Sequence, residues 1–260
     1  LQSVVAQTFR DFEVIVIDDA STDSSRGVVL DYLRQEKCGR LISLPQRVGV
    51  AAAINAGLER SDSEFVARLD SDDLMAPDRL AQQVAAMTHF SRVGVLGSWV
   101  TTFGLRKMHL RFPKSHNEIM LEMGFRNAIA HPSVLIRRQA TEGLTGPYRP
   151  EFINTEDWDL WLRISRKFEL ANIPSYLTRY RIHAGQISRN QNPRVEPLKS
   201  GLKSQFRETV NWQPLWARAT VSPISLIIFV LKNQKTVQYP LVLLLKVGAR
   251  VLRKRAVVES

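Results

Sequence analysis

The sequence predicts an α/β protein with an open, mostly parallel sheet and helices on both faces. Of its 260 residues, 44% are hydrophobic and 23% are charged, which suits a chain that buries a sizeable core. Short β-branched apolar runs alternate with helical patterns, as in βαβ units. Two of the runs end in carboxylates. Ligands of such sheets bind at the carboxyl ends of the strands, so we expect the site at that edge.

The elements follow from these runs in chain order. EVIVID at 13–18 is a β-branched run that ends in carboxylates, and Ser21 to Asp23 are good N-cap residues for the helix after it. Pro77 stands where a first helical turn tolerates proline. Beyond about residue 108 the pattern is less regular. The predicted strands are 13–18, 41–44, 65–69, 93–100 and 133–136; the predicted helices are 49–59, 78–90, the one from 21–23 and the one from 156.

Composition excludes several classes of protein. The single cysteine, Cys38, cannot form an internal disulfide, which excludes a secreted disulfide scaffold. No apolar run reaches the roughly 18 residues that span a bilayer, and the beginning, LQSVVAQTF, lacks the pattern of a signal peptide. We therefore expect a cytoplasmic protein, peripheral on the cytoplasmic membrane face.

The positive charge is concentrated in the last part of the chain. Of the formal net charge of +11, residues 199–260 contribute +9, and their basic residues alternate with apolar runs. We predict a domain at 1–190, a linker at 191–198 and a basic amphipathic helical tail at 199–260 that binds an anionic membrane surface. The alternative is a terminal helix that packs its apolar face on the body. A nucleic-acid partner rests only on the pI of about 10.1 and is not expected.

The sharpest motif is Asp70-Ser71-Asp72-Asp73, which directly follows a predicted strand. Three carboxylates in four residues repel one another, and a divalent cation such as manganese or magnesium would neutralise them and keep positions open for a diphosphate. The alternative is a solvated turn in which Asp73 caps the next helix.

Two further acidic pairs are candidates for chemistry. Asp18 and Asp19 end an earlier strand, where a carboxylate can accept hydrogen bonds from a nucleobase or a ribose. Glu156 and Asp157 begin an aromatic helix, and Asp157 is placed to serve as a base for a sugar hydroxyl. Each pair is also compatible with a plain helix start.

Together these segments resemble the inverting family 2 glycosyltransferases of the GT-A fold. The resemblance rests on SVVAQTFRDFEVIVIDDASTD, GVAAAINAGL, FVARLDSDDLMAPDRLAQQV, EDWDLWLRIS and YRIHAGQIS, in the family's order over residues 1–188. It implies a metal-dependent transfer from a nucleotide-diphosphate sugar to a glycan or lipid-linked acceptor, as in cell-surface polysaccharide synthesis. A catalytically inactive module that binds nucleotide sugars or glycans is the alternative.

The resemblance also implies roles for individual residues. Asp70 and Asp72 match the DXD motif that holds the metal, and Asp157 matches the general base. The implied donor side is Asp18, Asp19, Asn55, Asp70, Asp72 and His183; the implied acceptor side is Glu156, His131 and Trp158.

Three departures from the family pattern qualify these expectations. The family's first strand is absent before LQSVVAQTF, so an N-terminally incomplete transferase domain is expected. Arg47 and Ile54 stand where the family often has Asn and Arg. The Q-x-x-R-W motif of processive synthases does not follow Trp161, which favours addition of a single sugar.

Overall fold

Helices and strands alternate through the first half of the chain, as the sequence predicts. The computed structural model describes residues 1–37, 39–185, 193 and 195–209; Cys38 and everything beyond residue 209 lie outside the described residues. The helices are Gln2–Val5 (α1), Ser25–Glu36 (α2), Val50–Leu58 (α3), Arg79–His89 (α4), His116–Met123 (α5), Glu156–Ile164 (α6) and Val195–Thr209 (α7). The strands are Val14–Asp18 (β1), Gly39–Ser43 (β2), Phe65–Ala67 (β3), Leu74–Met75 (β4), Val93–Gly104 (β5), His109–Leu110 (β6), Leu135–Arg137 (β7) and Glu169–Ile182 (β8).

The first helix after β1 begins later than predicted. Asp18 Oδ1 accepts a hydrogen bond from Ser21 N, Asp23 Oδ1 accepts one from Ser25 N, and Ala20 has φ of 54°. These local turns use the residues that were expected to cap the helix, so α2 begins at Ser25.

The α/β class is confirmed, but the sheet is mixed rather than mostly parallel. β1 and β2 form a parallel pair, and a second sheet has the order β3-β7-β5-β8-β4 with β6 on β5. Among the described strands only β1/β2 and β5/β8 pair in parallel; the other pairings are antiparallel. The antiparallel partners β6 and β7 follow β5, in the stretch where strand periodicity is weak.

The core of the second sheet lies beneath α4. Met87 from this helix packs with Val93 and Leu96 of β5 and Leu135 of β7, all of them buried. Burial of this apolar cluster fixes α4 across β5 and β7. The N-terminal end of α4 therefore lies close to the ends of β3 and β7, where the acidic turn begins.

The predicted linker at 191–198 and the domain boundaries beside it are corrected by α7. This helix begins at Val195, contacts α6, and buries Leu202 and Phe206. All of α7 belongs to the same compact unit as the strands and helices before it. Leucine and phenylalanine at i and i+4 lie on one helix face, and this apolar stripe packs on the body. The remainder of the predicted basic tail lies outside the described residues.

Within the described part of the chain, none of the helices combines the length and the apolar character that a membrane span requires.

Candidate active site

The acidic turn connects β3 to β4 and is held to β8. Asp73 is buried, its Oδ1 accepts a hydrogen bond of 2.7 Å from Arg181 N, and burial raises its pKa to about 7. Asp78, not Asp73, is the N-cap residue of α4. Asp73 therefore ties the turn to the sheet instead of capping a helix.

Asp70 is paired with an arginine two residues before it. Arg68 Nη2 lies 2.5 Å from Asp70 Oδ1 and its Nη1 lies 3.2 Å from Oδ2, so the guanidinium donates to both carboxylate oxygens. This pair relieves part of the repulsion expected among the three carboxylates. It also places a cation in the centre of the acidic cluster.

Asp72 faces His183, which follows the end of β8. Asp72 Oδ2 and His183 Nε2 are 3.2 Å apart, and both side chains are more than one third exposed. A carboxylate oxygen and an imidazole nitrogen that converge on solvent fit two ligands of a manganese or magnesium ion, with other positions free for phosphate oxygens. Among the described residues, no group of three or more His, Cys, Asp or Glu side chains is arranged to hold a metal.

Asp157 lies in the first turn of α6 and is largely enclosed. Its side chain is 14% exposed, Oδ2 accepts a hydrogen bond of 2.6 Å from Asn127 Nδ2, and Oδ1 accepts one from Trp158 N. Burial, with a smaller contribution from the charge of Glu156, raises the pKa of Asp157 to about 7. A carboxylate of this kind exchanges protons near neutral pH.

An aromatic and imidazole cluster encloses Asp157. His131 Nδ1 lies 3.9 Å from Asp157 Oδ2, and His131 Nε2 is 3.0 Å from the Tyr148 hydroxyl, with the two rings stacked. Burial lowers the pKa of His131 well below its ordinary value, so the imidazole is neutral at neutral pH. His131 thus lies beside Asp157, while its implied contact with an acceptor stays a prediction.

Helix α4 fixes the backbone that carries these groups. The buried Arg79 donates to the carbonyl oxygens of Arg68, Pro132 and Val134 at 2.9, 2.8 and 3.1 Å. Gln83, one turn later, donates to Ser133 O. One helix face therefore positions both the residue that pairs with Asp70 and the segment after His131.

The side-chain amide of Asn55 is held by the backbone of Tyr148. Its Nδ2 donates to Tyr148 O at 2.6 Å, and its Oδ1 accepts from Tyr148 N at 2.9 Å. Both ends of the amide are engaged by one backbone residue, and its implied donor-side contact stays a prediction. Asn55 holds the segment before α6 against α3, which positions Tyr148.

Asp18 and Asp19 make local contacts at the end of β1. Asp19 accepts hydrogen bonds from Val48 N and Gly49 N, at 2.7 and 2.9 Å, and Gly49 has φ of 86°, a conformation that favours glycine. A hydrogen bond from Ser21 lowers the pKa of Asp18. The pair holds the loop before α3, and its contact with a nucleotide stays a prediction.

The other two acceptor-side candidates differ from each other. Glu156 is nearly buried beside Asp157, and desolvation raises its pKa. Trp158 is 3% exposed, so its ring belongs to the core and cannot stack on a sugar in this structure. This corrects its predicted place on the acceptor side, because residue 158 of α6 faces inward.

Arg68, Asn127 and Tyr148 are site residues that the sequence reasoning missed. Arg68 is the second-last residue of the predicted strand 65–69, two residues before Asp70, and that position was the available signal. Asn127 lies 30 positions and Tyr148 lies 9 positions before Asp157, both in irregular stretches. No sequence periodicity links either residue to Asp157.

An acidic turn at the edge of an α/β sheet, with a carboxylate of raised pKa at a nearby helix start, is the arrangement expected of a glycosyltransferase with the GT-A fold. The chain matches the family model "Glycosyl transferase family 2" over residues 1–141, more than half of its length. It belongs to glycosyl transferase family 2.

Curated relatives cover most of the chain. An uncharacterized glycosyltransferase of Haemophilus influenzae is 26% identical over 214 residues, 76% of this chain and 66% of that protein. The Escherichia coli protein named UDP-Glc:alpha-D-GlcNAc-diphosphoundecaprenol beta-1,3-glucosyltransferase WfaP is 28% identical over 213 residues, 78% of this chain and 79% of the relative.

Solved structures share the fold. S. aureus TarS in complex with UDP superposes with a TM-score of 0.61 at 18% identity, over 79% of this chain and 59% of that one. The mannosyltransferase PcManGT from Pyrobaculum calidifontis, in complex with GDP-Man and Mn2+, gives a TM-score of 0.57 at 18% identity, over 96% of this chain and 74% of that one. At these identities the likeness establishes the fold, and the fold matches the GT-A expectation.

Proposed function

We propose that the protein is a metal-dependent, inverting glycosyltransferase that moves a sugar from a nucleotide-diphosphate sugar to a glycan or lipid-linked acceptor in cell-surface polysaccharide synthesis. The observation that carries the proposal is the enclosed Asp157, with its pKa raised to about 7, in the same acidic site as Arg68 and Asp70. The names of relatives support the substrate classes: WfaP is named for UDP-Glc and a diphosphoundecaprenol acceptor. By analogy, we propose that this protein acts at the cytoplasmic membrane face.

On the donor side, Asp72 and His183 would hold the cation. A divalent cation there supplies positive charge to the departing diphosphate. Arg68 adds a second positive charge two residues from Asp70. Asp72 would thus orient the diphosphate of the donor through the cation, and Arg68 limits the repulsion that Asp70 would otherwise add.

On the acceptor side, Asp157 would act as the general base. It accepts the proton of an acceptor hydroxyl, whose oxygen attacks the anomeric carbon as the bond from that carbon to the diphosphate oxygen breaks. A single displacement of this kind inverts the anomeric centre. Asn127 holds Oδ2 in place, and the neutral His131 adds no positive charge that would lower the basicity of Asp157.

The decisive experiment is a thermal-shift series with UDP, GDP, CDP and dTDP, each with and without manganese, followed by a transfer assay with the matching sugar donors. We expect one diphosphate to stabilise the protein only when manganese is present. Binding without any turnover would favour an inactive nucleotide-sugar module, and the absence of any shift would contradict a donor site at the acidic turn.

Replacing Asn127 with alanine is expected to move the acid limb of the pH–kcat profile to higher pH. The hydrogen bond from Asn127 favours the ionised carboxylate of Asp157, so its loss raises the pKa of the base and leaves less of it ionised at neutral pH. We expect kcat at pH 7 to fall about tenfold and to recover partly at pH 9. The control is Asn117→Ala on the exposed face of α5; an unchanged profile in Asn127→Ala would contradict the role.

A further inference from the structure

One face of the second sheet carries arginines and aromatic rings, and we call it the basic-aromatic face. Along β5 the side chains alternate between buried and partly exposed from residue 98 to residue 103, which turns Trp99, Thr101 and Phe103 outward. The neighbours of these three residues on β8 are Tyr176, Arg179 and Arg181. His109 on β6 and Arg111, which directly follows β6, also belong to this face. The loop residues Leu105, Arg106 and Lys107 complete it.

The arginines of this face lie on its aromatic rings. The guanidinium carbons of Arg179 and Arg181 are 5.0 and 4.4 Å from the centre of the Phe103 ring. Arg111 lies 5.2 Å from the centre of the Trp99 ring, and its Nε donates to the Tyr176 hydroxyl. Such stacking fixes the flat side of a guanidinium and leaves N–H groups at its edge for anions.

The charge of this face has one sign. The segments 98–111 and 172–182 contain five Arg or Lys residues, all of them exposed, and neither segment contains an Asp or Glu. Leu105 is 67% exposed at the tip of the loop that joins β5 to β6. An exposed leucine, partly exposed Trp and Tyr rings and several exposed cations are the combination that favours the boundary between lipid headgroups and acyl chains.

The face is continuous with the acidic turn. Arg181 donates from its backbone N to Asp73 Oδ1 and from its Nε to Asp72 O, at 2.7 and 2.9 Å. A surface bound to this face would therefore lie next to the residues that are proposed to hold the donor. An acceptor embedded in the bound surface would then reach the active site while its lipid part stays in that surface.

We propose that the basic-aromatic face docks the protein on the surface of an anionic lipid bilayer. The inference extends the proposed use of a lipid-linked acceptor, but the docking itself rests on the geometry and charge of the face. Phosphate groups of anionic lipids pair with the exposed guanidinium edges, and Leu105 enters the interface. A bilayer is favoured over a nucleic acid because an exposed aliphatic tip gains nothing from a phosphodiester backbone.

The test is co-sedimentation of the full chain with vesicles of one part phosphatidylglycerol to two parts phosphatidylcholine, compared with pure phosphatidylcholine vesicles. Two double variants remove charge from the face: Arg111→Gln with Arg179→Gln, and Arg106→Gln with Lys107→Gln. The control, Arg166→Gln with Lys167→Gln, removes the same charge from exposed positions after α6. All variants keep residues 210–260, so any contribution of that segment is common to them.

We expect each double variant of the face to lower the partition coefficient about tenfold and the control to change it less than twofold. The single variant Leu105→Ser is also expected to lower it. Equal losses in the face and control variants, unchanged binding in both face variants, or tighter binding to an oligonucleotide than to vesicles would each overturn the proposal. The thermal shift with nucleoside diphosphate and manganese reports separately on the proposed function. It is expected to stay at the wild-type value in all of these variants.

Discussion

Replacing Asp157 with asparagine is expected to lower kcat by about 10²–10⁴-fold while leaving donor binding intact. Asparagine keeps the shape of the side chain and can still accept the hydrogen bond from Asn127, but it cannot take up the proton of an acceptor hydroxyl. The donor groups Asp72 and His183 are unchanged. The measurement is kcat for sugar transfer, together with the manganese-dependent thermal shift.

The same substitution is expected to stabilise the fold at alkaline pH. Because the pKa of Asp157 is about 7 in the folded protein and lower in the unfolded chain, the folded state holds the proton more tightly between about pH 4 and 7. The stability of the wild type therefore falls as the pH rises through this window. Asp157→Asn removes that loss, so its melting temperature should exceed that of the wild type at pH 8 and approach it near pH 4.

Asp159 provides the matched control on the same helix. It is buried between Arg149 and Arg163, with both Nε atoms 2.9 Å from Oδ2, so Asp159→Asn should destabilise the protein at pH 8. Neutralising a buried carboxylate that is paired with arginines destabilises the fold, whereas neutralising an unpaired one does not. If Asp157→Asn kept wild-type turnover, Asp157 would not be the base. If both variants were destabilised equally at pH 8, the pKa of Asp157 would not be raised in the folded protein.

The fold could be predicted where local periodicity decides it. The segments that became β1, β2, β3, α3 and α4 carry clean apolar runs or helical spacing, and their boundaries agree within a few residues. Strand order and direction depend on contacts that periodicity does not encode. β8 illustrates this: it runs over Glu169–Ile182 through Pro174 and pairs with two strands in opposite directions, and no run of the sequence marked it.

The candidate site divides in the same way. Asp70, Asp72 and Asp157 could be proposed as site residues because each stands after a strand or at the start of a helix, where a carboxylate can bind a cation or accept a proton. The contact of Arg79 with Pro132 was missed because the two residues are 53 positions apart, and the contact of Asn55 with Tyr148 was missed because they are 93 positions apart. A single sequence shows which groups can react, but it does not show which amides and guanidiniums hold them.

Replacing Asp72 with asparagine is expected to abolish the manganese-dependent stabilisation by nucleoside diphosphate. Asp72 Oδ2 is the charged oxygen that lies 3.2 Å from His183 Nε2, and a neutral amide is a much weaker ligand for a hard cation. We expect the apparent affinity for manganese to fall at least about 100-fold in Asp72→Asn and about tenfold in His183→Ala. Manganese titration by electron paramagnetic resonance measures both without any need for the acceptor.

Two comparisons make this result specific. Ser71→Ala changes an exposed neighbour in the same turn and should bind manganese and diphosphate as the wild type does. Asp70→Asn leaves Asp72 and His183 in place and removes only the carboxylate that pairs with Arg68, so it should keep a manganese affinity close to that of the wild type. If Asp72→Asn kept its manganese affinity while Asp70→Asn lost it, the cation would be held by Asp70, and Arg68 would have to leave that carboxylate for the ion to bind.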